Sequence, residues 1–368
     1  MFIFERVFAV GIYAIVLLVM CLLISQKNSN YKRILVGYTI ILSVMGFFYL
    51  PYKTSDLYRI YDILRRYSGY NWDYFFTNVI GGNLLGIDAI YYWLIAQTGE
   101  IRLLPAINAF LCYSCVFYII IRTAKLYNIN RNNIAIAVFF FMSIGNYMFV
   151  ISGIRSMLGI CLLAFCFFRE SVEKKFKVWH ILLYIISAFI HNFTFVLIFI
   201  RLCVPVITKK LPLGKKILHL FILGISAVLV LYFTPQYIRE VLNRGEGYIS
   251  GDKYSYIWEY ITGILTGIII AIAVYNMRNI KADINKDFRQ TKIFIATCLC
   301  IALVFSFEFS IFHRTIAYIA PILCLPVIMV TRQREISKRN NDIWIILTVL
   351  LFITCARGSL CSLKFFVL

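Results

Sequence analysis

Five short stretches set Arg, His or acidic side chains beside long apolar runs: Asp56-Leu57-Tyr58, Gly153-Ile154-Arg155, His191-Asn192, Tyr254-Ser255-Tyr256 and His313-Arg314. An ionisable side chain at membrane depth costs on the order of 3 kcal/mol or more, so by default each marks a functional pathway. Arg155 opens an apolar run directly after Ser152-Gly153. An arginine at a helix start adds its charge to free backbone N–H groups, a combination suited to an anionic phosphate. A guanidinium snorkelling to the interface is the plainer reading. His191-Asn192 interrupts another apolar run. Its imidazole titrates near neutrality and can act as general base or hydrogen-bond a phosphate; a turn that only reverses the chain is the alternative. Glu308, His313 and Arg314 fall between two apolar runs, with Tyr318 four residues beyond Arg314 and so on the same face of a helix. A second Arg there is what a diphosphate-bearing ligand needs, unless Glu308 and Arg314 simply form a structural pair.

Around Asp56, the spacing Leu57/Ile60/Tyr61/Leu64 predicts an amphipathic helix lying on a membrane surface. Its polar residues, Asp56, Tyr58, Asp62, Arg65 and Arg66, could line a sugar site or merely be solvated. Tyr254, in Asp252-Lys253-Tyr254-Ser255-Tyr256, carries the weakest signal, because aromatic loops often ride the interface.

The elements that must position these residues are helices. Hydrophobic residues make up 61% and charged residues 15% of the 368-residue chain, against roughly 25% charged for a soluble domain. The apolar runs are about 14 to 20 residues long, suited to a hydrocarbon layer about 30 Å thick. The fold class is therefore all-α, a polytopic transmembrane helical bundle in one integral-membrane domain, 1–368. The runs predict about 12 spans, at 7–24, 34–51, 103–121, 134–151, 156–168, 178–190, 193–206, 217–233, 258–276, 293–308, 315–330 and 343–356. No internal repeat stands out.

The net charge of +20 gathers in short loops: Lys27/Lys32/Arg33, Arg122/Lys125/Arg131, Lys174/Lys175/Lys177, Lys209/Lys210/Lys215/Lys216, Arg278 to Lys292 and Arg332 to Arg339. The positive-inside rule puts these loops on the cytoplasmic side, so the charge reports orientation and not a nucleic-acid partner. The stretches 52–102, 152–155, 191–192, 234–257 and 309–314 then fall outside, with 52–102 and 234–257 as sizeable outer loops. Balanced charges in 234–257, with Arg239, Arg244 and Lys253 against Glu240, Glu246 and Asp252, agree. Residues 84–97 are apolar, but counting them as a crossing breaks this parity. They read as an interfacial or re-entrant helix anchored by Tyr91, Tyr92 and Trp93. The span 156–168 and the hairpin 178–190/193–206 are short; a 13-residue helix reaches only about 20 Å. Their outer ends, with Arg155 and His191, are expected in a water-filled, protein-lined cavity below the surface.

Most of the 11 cysteines lie inside apolar runs, and no disulfide framework is visible. The first run lacks a small-residue cleavage site and reads as a retained span. A Walker loop, a dinucleotide fingerprint, a paired DxD-type site and HExxH are absent from the sequence. This disfavours a nucleotide-powered pump and a metalloprotease, and leaves chemistry or transport on lipid-borne material.

Together these features resemble the EpsG/Wzy-type polymerases of bacterial surface polysaccharides. The resemblance lies in Ser55-Asp56-Leu57-Tyr58, in Ser152-Gly153-Ile154-Arg155-Ser156-Met157-Leu158-Gly159 and in Ile186-Ser187-Ala188-Phe189-Ile190-His191-Asn192. It continues in Lys253-Tyr254-Ser255-Tyr256 and His313-Arg314-Thr315-Ile316-Ala317-Tyr318, and extends over nearly the whole chain. The chain departs from the pattern at Ser156, where the family often has Gln, and at Gly159, where it often has Ala. Acidic residues are common before the family's last Arg motif; here Glu308 stands six residues before Arg314, and His313 immediately precedes it.

The resemblance implies a metal-independent glycosyltransferase with no cofactor, in the bacterial cytoplasmic membrane, working on undecaprenyl-diphosphate-linked oligosaccharides. The growing chain would pass from its lipid diphosphate to a newly flipped repeat unit at the outer face, in capsule, O-antigen or exopolysaccharide synthesis. Arg155 and Arg314 would hold the diphosphate, His191 would assist as acid/base or phosphate contact, and Asp56 is the back-up base. Tyr58, Arg65, Tyr254, Glu308, His313 and Tyr318 are secondary contacts. Membrane lipid, a flippase and a chain-length regulator are the implied partners. The competing classes are a flippase of the same units and a non-catalytic partner in an assembly complex. A flippase needs charged residues through the whole membrane depth, whereas the interior-facing side is expected to hold only loop Lys and Arg.

Overall fold

The computed structural model describes residues 2–53, 55–80, 87–144, 146–191, 193–208, 257–280, 282–304, 306, 312–334, 338–358 and 363–364. It also describes isolated positions between 212 and 228. Every regular element among the described residues is helical. The predicted spans at 217–233 and the end of 293–308 lie largely outside the described residues, as do Tyr254, Glu308, Asn192 and the Tyr318 side chain.

Two helices open the chain, α1 (Phe2–Ser25) and α2 (Tyr31–Phe47). Asn30 caps α2, accepting a hydrogen bond from the Arg33 amide. In α2, Val36, Ile40 and Val44 are exposed at a spacing of four. Such a one-sided apolar stripe suits lipid better than water. On its other side α2 packs against α6 (Leu103–Tyr127). A Cβ on Gly46 would meet the Pro105 carbonyl oxygen at 3.0 Å, so the backbones approach closely there. The Ser43 hydroxyl donates to the Ala106 carbonyl at 2.7 Å across the same seam.

Between α2 and α6 lie three short helices. Helix α3 (Asp56–Tyr67) begins at the Ser55 cap and buries Leu57, Ile60, Tyr61 and Leu64, the apolar stripe read from the sequence. A short helix, α4 (Trp72–Phe75), leads through a π-helical turn (Phe76–Ile80) towards α5 (Ile87–Gln97). Eleven residues reach only about 16 Å, so α5 is no crossing. It packs on α3, and its Trp93 indole donates to the Tyr70 carbonyl at 3.0 Å.

The predicted span 134–151 divides into α7 (Arg131–Ser143) and α8 (Asn146–Ser152). Helix α8 ends at Gly153, where a Cβ would clash with the Phe149 carbonyl oxygen at 2.9 Å. The chain then restarts as α9 (Ile154–Ser171). The predicted span 156–168 was too short: α9 has 18 residues and reaches roughly 27 Å. It continues through Arg169 and Glu170 because both charges find partners, Arg169 in Glu173 four residues on and Glu170 in Arg201 of the helical hairpin that follows. The short-crossing expectation holds for α10 (Val178–Ile190), which has 13 residues, and α11 (Phe193–Thr208) completes the hairpin.

The remaining helices are α12 (Ile257–Asn276), α13 (Ala282–Asp287), α14 (Arg289–Val304), α15 (Ala320–Arg334) and α16 (Lys338–Arg357). A π-helical turn, Arg314–Ile319, leads into α15 and replaces the α-helical spacing expected between Arg314 and Tyr318. The stretch Arg314–Gln333 is almost wholly enclosed and forms the centre of the bundle. Four helices, Val7–Ser25, Leu103–Tyr127, Ile257–Asn276 and Arg314–Gln333, are long and apolar enough to cross a membrane. Val178–Ile190, Phe193–Pro205 and Trp344–Arg357 are shorter apolar helices. The expected total of about 12 crossings is not reached by such helices among the described residues.

Candidate active site

Three structural breaks place the polar groups at one end of α9. The Gly153 break starts α9 afresh, and the Met157 amide closes its first turn onto the Gly153 carbonyl. Arg155 and Ser156 therefore sit in the first turn, beside amides with no intrahelical partner. The α10–α11 turn delivers His191, and the π-helical turn before α15 delivers Arg314.

Close packing locks the turn against α9. The Ser187 hydroxyl donates to the Gly159 carbonyl at 2.7 Å, and the Thr194 hydroxyl donates to the Ser187 carbonyl at 2.6 Å. A Cβ on Gly159 would stand 3.1 Å from Thr194 Cγ2 and 3.2 Å from the Ser187 carbonyl oxygen. Glycine thus lets the α10–α11 turn approach α9. The result is a hydrogen bond of 2.9 Å between Ser156 Oγ and His191 Nε2. His191 Nδ1 is buried without a hydrogen-bond partner. Burial first, then the charges of Arg314 and Arg155, hold this turn imidazole well below its ordinary value. These causes favour the uncharged ring, which can hydrogen-bond through both nitrogens but takes up a proton less readily than an ordinary imidazole.

Arg155 Nη1 meets Asp88 Oδ2 of α5 at 3.2 Å. The Arg155 side chain is 51% exposed and Asp88 only 21%. Asp88 Oδ1 accepts from the Ala89 amide at 3.0 Å. Burial, the dominant cause, pushes the Asp88 carboxyl above the usual range, against the opposing pull of Arg155 and the amide. One turn on, the buried Tyr92 hydroxyl has no hydrogen-bond partner and feels the charges of Arg155, Asp88 and Asp56.

The His191 turn is hydrogen-bonded to Ser156 beside Arg155, and the turn that begins at Arg314 packs on α9; the charges of both arginines act on His191, and that of Asp56 acts on Arg155. Asp56 itself pairs with Arg59, and both side chains are exposed. His313 is buried beside Arg314, its ring edge-on to Phe149 with centroids 4.7 Å apart. Tyr58 gives its amide to the Ser55 cap at 3.3 Å. Arg65 pairs with Asp62 at 2.8 Å on the exposed face of α3. Asp88, Tyr92 and the hydrogen bond of Ser156 were missed in the sequence. Asp88 interrupts an apolar run, and that was its one visible signal.

At the opposite end of α9, Glu170 accepts from Arg201 Nε at 2.9 Å and from the Tyr184 hydroxyl at 3.2 Å. Glu173 accepts from Arg122 and, at 3.0 Å, from the Tyr118 hydroxyl. Arg201 lies within α11, inside the predicted span 193–206, so basic residues here are not confined to loops. A buried arginine whose guanidinium is matched by a carboxylate on the next helix need not sit in a loop.

No curated protein and no solved structure matches the chain. A model of the EpsG family matches residues 55–364. The match covers well over half of the sequence and takes in every helix that contributes to this site: the chain belongs to the EpsG family.

Proposed function

We propose that this chain is a polymerase of lipid-linked oligosaccharide repeat units, a glycosyltransferase acting at the outer face of the bacterial cytoplasmic membrane. EpsG membership supports a polysaccharide-polymerase role in a membrane setting. The observation that carries the finer reading is the placement of two guanidiniums, Arg155 and Arg314, about a neutral, half-satisfied imidazole at one end of α9.

In this reading Arg155, Arg314 and the first-turn amides of α9 bind the undecaprenyl diphosphate of the donor. The acceptor hydroxyl attacks the anomeric carbon, the bond to the diphosphate breaks, and the developing charge is stabilised by the two arginines. His191 stays hydrogen-bonded to Ser156 and offers Nδ1 to the substrate as proton acceptor or phosphate contact. Asp56 is the carboxylate available if His191 only binds. Arg65, Tyr58, Tyr254, Glu308, His313 and Tyr318 are proposed as secondary contacts.

The test is the glycan length profile of a deletion strain carrying wild-type protein or an equally expressed Arg155→Ala variant. Long chains with wild type, and single units exposed outside with both deletion and variant, support the polymerase. Units stranded on the cytoplasmic face in the deletion identify a transporter instead.

A further inference from the structure

Asp88 is the least expected member of the site. It belongs to an interfacial helix that the sequence offers as an anchor, yet its carboxylate reaches across to the arginine at the start of α9. Both oxygens are accounted for: Oδ1 on the Ala89 amide and Oδ2 on Arg155 Nη1. Asp56, the other carboxylate near Arg155, is turned to exposed Arg59. Among the described residues, Asp88 is thus a carboxylate in direct contact with Arg155 of the proposed diphosphate clamp. Its neighbour Tyr92, 3% exposed, carries a hydroxyl with no partner. A polyhydroxylated sugar ring would satisfy that hydroxyl and place its own hydroxyls beside Asp88.

We propose that Asp88, in place of Asp56 and with His191 as a phosphate contact, is the base that takes the proton of the acceptor hydroxyl, and that Arg155 holds it in reserve until the donor diphosphate displaces it. This rests on the diphosphate role of Arg155 proposed above. A diphosphate carries more charge than one carboxylate and accepts both arms of a guanidinium, so it wins Arg155 from Asp88. The released carboxylate then stands beside a second anion, which favours its protonated form and so makes it a better base. The acceptor O–H gives its proton to Asp88, the oxygen bonds to the donor's anomeric carbon, and the carbon–oxygen bond to phosphate breaks. The electron pair leaves on undecaprenyl diphosphate, held by Arg155 and Arg314. Asp88 returns its proton to water and re-forms the pair with Arg155 when the lipid departs. A base that is free only when the donor is loaded would also limit wasteful activation of water.

Two readouts separate this role from a merely structural one: binding of inorganic pyrophosphate to the purified full-length protein, and glycan length in the complemented deletion strain. Asp88→Asn removes the competing anion, so pyrophosphate should bind about two- to fivefold more tightly, the share an ordinary half-exposed ion pair withholds. Chain extension should fall about 100-fold or more, as for a lost general base. Asp88→Glu keeps the charge and guards against a folding artefact; it should extend chains at a reduced, measurable rate. Normal extension by Asp88→Asn overturns the proposal. So does weaker pyrophosphate binding together with lost extension, which marks a scaffold residue, and so does a folded Asp88→Glu no more active than Asp88→Asn. Should Arg155→Ala bind pyrophosphate and extend chains like wild type, the diphosphate reading itself fails and takes Asp88 with it. If Arg155→Ala loses both while Asp88→Asn extends normally, only the Asp88 role falls.

Discussion

Helix α9 carries charge at both ends, and the two ends treat it oppositely. At the Glu170 end every acidic oxygen is engaged. Glu170 holds Arg201 and Tyr184, and Glu173, with its side chain 1% exposed, holds Arg122 and Tyr118 with Arg169 at 3.5 Å. Arg201 also lies over the Tyr184 ring, 5.1 Å from its centroid. At the Arg155 end the arginine is half exposed and touches one oxygen of Asp88, while His191 Nδ1 and the Tyr92 hydroxyl are buried without partners. Saturated charges tie helices together; unsaturated ones wait for something else. The same residue types thus serve as structure at one end, where of these charged groups only Arg169 Nε lacks a hydrogen bond, and in the proposed reading bind substrate at the other.

Breaking the closed end should show first as lost stability. Glu170→Ala leaves Arg201 buried without its carboxylate, and removing one partner of a buried pair costs about 3–5 kcal/mol. The expected result is a sharp drop in thermal stability of the detergent-purified protein and poor accumulation in membranes. Arg155→Ala should do the reverse. The thermal midpoint stays near wild type, because the Arg155 side chain is 51% exposed and Asp88 keeps its bond to the Ala89 amide, while chain extension falls about 10²–10³-fold, as when one preorganised donor to developing charge is lost. If Glu170→Ala is stable and inactive, or Arg155→Ala unstable, the two ends have been assigned the wrong way round.

Gly159 lies between the two ends and sets how closely the His191 turn approaches. With contacts of 3.1 and 3.2 Å awaiting a Cβ, Gly159→Ala should cost about 1–3 kcal/mol, the range for overpacking. It should also shorten chains by displacing His191 from Ser156. A thermal scan and a glycan ladder on the same variant check both. Alanine tolerated without either effect would mean that the turn yields by a few tenths of an ångström.

How much was legible follows from distance along the chain. Arg155, His191 and Arg314 were visible because each stands beside an apolar run, where a charge or an imidazole is conspicuous by itself. The α3 stripe was legible for the same local reason. Asp88 escaped because its meaning comes from a partner 67 residues away, and the α5 aromatics suggested an anchor instead. Glu170 and Arg201, 31 residues apart, were hidden by the rule that charges end spans; together they permit α9 to run on past Phe168. The π-helical turn at Arg314 is a backbone event with no local composition signal, whereas Gly145-Asn146, where α7 gives way to α8, was a break signal that the length of the apolar run concealed.

The smallest expected effect bears on the α3 surface. Arg65 and Asp62 pair at 2.8 Å with side chains 58% and 53% exposed, and an exposed pair three residues apart on a helix contributes at most about 0.5 kcal/mol. Arg65→Ala should therefore leave stability unchanged to within that amount. Its effect on chain length decides where the sugar path runs. If α3 is a solvated cover, the ladder is that of wild type, and the working surface narrows to Asp88, Tyr92 and the Arg155 end of α9. If the ladder shortens at unchanged stability, the saccharide crosses the exposed face of α3, and Arg65 joins the contacts that hold it. The contrast between saturated and waiting charges favours the first outcome, since Arg65, unlike Arg155, already has its carboxylate on its own helix.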